Sequence, residues 1–153
     1  EAEIAPQLAK VQAEMAKAGK TARLLNKAGV LYAGYGLWDR AEGYFTDAAS
    51  KEDFAPAIVN LGNLALLRGE SAEAAALFAR ALKKAPGDAK ALLAAARAEH
   101  ALENYGSARG YYDRLKKADP GLAAQYNYLE LRGEDAKRAA DAGEAMRRVP
   151  WSE

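Results

Sequence analysis

The feature that most constrains this chain is a period. Set against itself, the sequence of 153 residues gives blocks beginning near Ala22, Ala55 and Ala89, spaced by 33 and 34 residues. Leu25, Ala28, Gly29, Tyr32, Gly36, Ala41, Phe45 and Ala48 of the first block align with Ile58, Leu61, Gly62, Ala65, Gly69, Ala74, Phe78 and Ala81 of the second. The third block answers with Leu92, Ala95, Ala96, Ala108, Tyr112, Leu115 and Pro120, although it carries Glu99 where the others have Tyr32 and Ala65. Self-similarity at this spacing marks a helix-turn-helix unit that cannot bury its apolar face alone, so successive units must stack.

Composition agrees with an all-α fold. Ala, Leu, Glu, Lys and Arg dominate, β-branched residues are scarce, and the first group are the better helix formers. Breakers at Gly19, Gly36, Gly69, Pro86-Gly87, Pro120-Gly121 and Gly133 divide the chain into helices of about 12 to 15 residues. Short connections make consecutive helices antiparallel neighbours. Within each block a small residue (Gly29, Gly62, Ala96) leaves room for the second helix, whose own Ala41, Ala74 or Ala108 faces it. Phe45, Phe78 and Tyr112 follow four residues later on the same helical face and can fill the space between pairs.

These residues together resemble the tetratricopeptide repeat over residues 22 to 120. The resemblance implies a right-handed α-solenoid of antiparallel helix pairs in a single domain, with units at 22–54, 55–88 and 89–120. Ahead of them, Ile4, Leu8, Val11 and Met15 form one apolar stripe, so residues 1–19 are read as a capping helix or the second half of an earlier repeat. Behind them, Leu131-Arg132-Gly133-Glu134 repeats Leu67-Arg68-Gly69-Glu70, and residues 121–153 are read as an atypical repeat and C-terminal cap. The spacing of Ala136, Ala139 and Ala145 predicts a helix over 135–148 with a polar coat that includes Asp135 and Arg138.

Chemistry is scarce along the chain. Lys plus Arg number 22 against 21 Asp plus Glu, and a net charge of +1 offers no broad attraction for nucleic acid or an anionic membrane. No Cys is present, which removes disulfides and thiolate chemistry and leaves cytoplasm and periplasm both compatible. The chain opens in helix-like spacing without Met, as expected of a piece of a longer or processed protein. No apolar run reaches bilayer length, and no phosphate-cradling Gly-rich motif occurs. The single histidine, His100, lacks the converging ligands of a metal site and the nucleophile of a catalytic one. Tyr105, Tyr111 and Tyr112 are assigned to packing and not to base stacking. No enzyme, metal or cofactor is expected.

The resemblance further implies a concave surface lined by the first helix of each pair. Carried over position by position, it selects Asn26, Val30, Asn60, Asn63, Leu67, Lys90, Arg97 and His100 as partner-binding residues. Asn amides both donate and accept, which suits them to a peptide backbone, and Lys90 and Arg97 can meet an acidic group. A carboxylate-clamping variant of the family is matched only at Asn60 and Lys90; Asn26, Val30 and Ala94 depart from it. The expected role is a non-catalytic scaffold holding a peptide or partner helix, with self-association as a dimer or spacer the alternative.

Overall fold

Helix starts follow local chemistry. The Thr21 side chain accepts the Leu24 amide at 3.2 Å, Asp88 accepts that of Lys90 at 3.1 Å and Asp119 that of Leu122 at 3.0 Å. A computed structural model describes residues 3–130, 135, 138 and 149–153. Its helices are α1 (Ala5–Ala18), α2 (Ala22–Gly34), α3 (Trp38–Glu52), α4 (Ala55–Leu67), α5 (Ser71–Lys84), α6 (Ala89–Ala101), α7 (Tyr105–Ala118) and the short α8 (Pro120–Ala124), followed by a 3-10 turn at Asn127–Glu130. No strand occurs among the described residues. None of these helices is long and apolar enough to cross a membrane.

The pairs α2–α3, α4–α5 and α6–α7 each pack internally, and α3 on α4 and α5 on α6 join one pair to the next in a solenoid. Close approach explains the small residues. A Cβ built on Gly29 would lie 2.6 Å from Phe45 Cδ1, and one on Gly62 would lie 2.8 Å from Phe78 Cδ1. Both Phe rings are wholly buried. The third pair solves the same problem differently: Ala96 is buried at the equivalent place, and the Tyr112 hydroxyl donates to the Ala123 carbonyl at 2.7 Å. That bond ties α7 to α8.

Turns differ in the same way. Gly36 and Gly69, two residues past the ends of α2 and α4, take φ of 74° and 80°, whereas Glu103 holds the corresponding place after α6 at φ 61°. A left-handed conformation favours glycine, so the third turn carries strain that the first two avoid.

At the N-terminal end, Ile4 and Val11 are buried while Leu8 and Met15 are half-buried, so the apolar stripe of α1 packs against the core. Of the helix predicted over 135–148, Asp135 and Arg138 are helical and ion-paired at 2.7 Å. The rest of that helix, and the repeated Leu131-Arg132-Gly133-Glu134, lie outside the described residues.

Candidate functional site

First helices α2, α4 and α6 lie side by side, on the face that the repeat architecture makes concave. α4 and α6 are buried around most of their circumference, which means that something covers the side away from α5 and α7. At the α2–α4 end the cover is the chain's own segment 149–153. The Asn60 amide nitrogen donates to the Ser152 carbonyl at 2.6 Å, and its oxygen accepts the Ser152 N–H at 2.8 Å. Asn26 donates to the same carbonyl at 3.1 Å and accepts a further bond from Asn60 at 2.9 Å.

One side-chain amide therefore reads both backbone groups of a single residue, as a neighbouring β-strand would. Lys90, placed just inside the Asp88 cap, extends Nζ to the Trp151 carbonyl at 3.0 Å. The Trp151 ring stacks on Phe45 with centroids 6.2 Å apart and planes at 26°. Asn26 and Asn60 are fully buried, so a purely solvent-facing role is excluded for both. Asn63 is buried too, and neither its Nδ2 nor the Ser152 Oγ has a hydrogen-bond partner among the described residues.

The α6 end is covered by rings. Arg97 lies over the Tyr126 face at 5.6 Å, and His100 meets Tyr105 and Tyr128 edge-on at 5.1 and 5.2 Å. Both residues are buried beneath the stretch that runs from α8 through the 3-10 turn. Val30 is half-buried in the apolar cluster around Tyr32 and Phe45, and Leu67 is exposed at the end of α4. Thus Asn26, Asn60 and Lys90 converge on one backbone, Arg97 and His100 join an aromatic cluster, and Val30 and Leu67 join neither group. Trp151 and Ser152 lie outside the set that the repeat register selects. Their signal in the sequence is a lone Pro150-Trp151 beyond the last helical pattern, together with an α4 too apolar to leave one face in water.

A separate cavity of about 980 Å³ opens between α1 and α3, where Lys20, Tyr32, Arg40, Tyr44 and Lys51 line it. Tyr32 and Tyr44 stack at 5.5 Å there, and burial followed by the nearby Tyr32 pushes the Tyr44 hydroxyl above its ordinary value. None of the eight expected partner-binding residues lines this cavity. Among the described residues no cluster of His, Asp and Glu could hold a metal ion.

Residues 59–123 match the family model for the tetratricopeptide repeat. No curated protein sequence matches the chain. Among solved structures it is similar to the first TPR of Spaghetti (RPAP3) bound to an HSP90 peptide, with TM-score 0.64, 17% identity, and 82% of this chain and 91% of that chain covered. It is also similar to MamA from Desulfovibrio magneticus, with TM-score 0.70, 18% identity and coverage of 93% and 82%. The Sgt2 TPR domain from Aspergillus fumigatus gives TM-score 0.61, 17% identity and coverage of 81% and 77%. At these identities the likeness shows the fold.

Proposed function

We propose that this chain, whose residues 59–123 match the tetratricopeptide-repeat family, is a non-catalytic interaction scaffold whose concave face holds an extended peptide by its backbone. The observation that carries this reading is the pair of bonds from Asn60 to the N–H and carbonyl of Ser152, reinforced by Asn26. Buried amides are costly unless paired, so a groove built around Asn26 and Asn60 requires a backbone in it. The solved relative that holds an HSP90 peptide lends support at the level of fold.

The grip is sequence-tolerant along the main chain and selective only where side chains enter pockets, which is how strand-like peptide recognition works. Lys90 adds a charge-assisted bond to a backbone carbonyl and sets the position of the peptide along the groove. A randomised pentapeptide library screened against the full chain tests the proposal. Bound peptides are expected to be lost in Asn26→Ala plus Asn60→Ala, with helicity retained. Binding that ignores both substitutions would place the site elsewhere, and a mass that doubles with concentration in light scattering would favour self-association.

A further inference from the structure

Segment 149–153 displays the chemistry that the amide end accepts, and its use as a guide to ligand class rests on the peptide-scaffold reading. We propose that the groove selects an extended peptide in which a tryptophan precedes a small residue, and that Trp151-Ser152 is a resident copy which an incoming peptide must displace.

Each contact fixes one property of the ligand. Because Asn60 accepts the Ser152 N–H as well as donating to its carbonyl, the residue at this place cannot be proline. Ser152 is 4% exposed, so the place admits only a small side chain. Its Oγ is buried with no hydrogen-bond partner among the described residues, so the hydroxyl itself is not what is recognised and alanine serves as well. The preceding ring has a dedicated seat: Trp151 stacks on Phe45 and packs on the apolar cluster that contains Tyr32, Ala33 and Leu64. Lys90 on the Trp151 carbonyl then locks the register by one residue.

The amides grip the main-chain N–H and carbonyl of Ser152, which leaves the preceding indole free to enter the apolar seat on Phe45. A tethered ligand competes at an effective concentration on the order of millimolar, so the resident copy weakens capture of a free peptide without preventing it. The groove is thereby tuned to respond only to partners that present this pair in high local concentration or in a better fit.

The test uses the full chain and a labelled, blocked peptide, Val-Pro-Trp-Ser-Glu, in fluorescence anisotropy. Trp151→Ala and Ser152→Pro each release the resident segment by a different route and leave the helix pairs untouched. Both variants are expected to bind the peptide at least tenfold more tightly than the unaltered chain, with unchanged circular dichroism. Replacing the peptide's Trp by Gly should abolish binding, and replacing its Ser by Ala should leave affinity within about twofold. Equal affinity for the unaltered chain and both variants, or no binding to either folded variant, overturns the proposal. If the variants instead select library peptides without Trp in a manner sensitive to Asn60→Ala, the Trp-small class is wrong while the peptide scaffold stands. No library peptide bound by any form removes both.

Discussion

At the α2–α4 end of the concave face two amides hold a piece of backbone, while at the α6 end an arginine and a histidine lie beneath tyrosine rings. Both ends place buried polar side chains on first helices, yet they differ in what covers them. Segment 149–153 is held by hydrogen bonds and one stacked indole, and another backbone could make the same bonds. Tyr126 and Tyr128 are themselves buried and continue directly from α8, which Tyr112 anchors to α7. A groove position can serve recognition only where its cover can leave without unpacking the repeat. On the proposal above the amide end meets that condition, whereas the tyrosines of the aromatic end are part of the core.

The largest expected effect sharpens the packing side of this contrast. Gly62→Leu should lower stability by about 3 kcal/mol in urea denaturation, since even a Cβ there overlaps the buried Phe78 ring, whereas Ala96 in the third pair already accommodates a methyl group. Next, Arg97→Glu should cost about 2 kcal/mol by burying an unmatched anion and losing the Tyr126 face. An unchanged melting temperature would break the distinction between the two ends and restore Arg97 as a groove residue open to a partner. For the same reason Asn63→Ala plus Arg97→Glu, which position alone recommends as a clean groove variant, is expected to perturb folding.

Asn60→Ala should act locally. Docking of segment 149–153 is expected to weaken by about 1.5 kcal/mol, read as lost exchange protection at the Ser152 amide, with far smaller changes in the helix pairs. Loss of protection throughout α4 would show that the segment belongs to the core after all. Glu103→Gly should raise stability by about 1 kcal/mol by relieving the left-handed turn after α6, and no gain would mean that Glu103 has compensating contacts.

The smallest effect depends on pH. Burial, then the nearby Glu130 carboxylate, raises the Tyr112 hydroxyl above the ordinary tyrosine value near 10. Above that value the unfolded chain loses the proton first. The contribution is therefore complete below about pH 10 and declines as pH rises toward the folded value, so Tyr112→Phe should flatten part of the alkaline stability loss.

Much of the architecture was legible because its determinants are local or periodic. The Gly29–Phe45 and Gly62–Phe78 pairs recur one repeat apart, and helix capping needs only a few neighbouring residues. The register likewise places Asn26, Asn60 and Lys90 on first helices, where segment 149–153 meets them. Arg97 and His100 look equivalent in that register because periodicity reports the face of a helix and says nothing of what lies over it.

The chain's own sequence determined the helix pairs, their stacking and the small-against-large packing, since each is enforced by backbone sterics repeated every 33 or 34 residues. Only the tertiary structure decided which part of the concave face carries a peptide backbone. Asn26 and Asn60 meet Ser152 across 126 and 92 residues of chain, and a bond between side-chain amides and an irregular segment leaves no periodic trace in sequence. Its formation depends on bringing distant groups together in a place that excludes water, where leaving those amides unpaired would be costly.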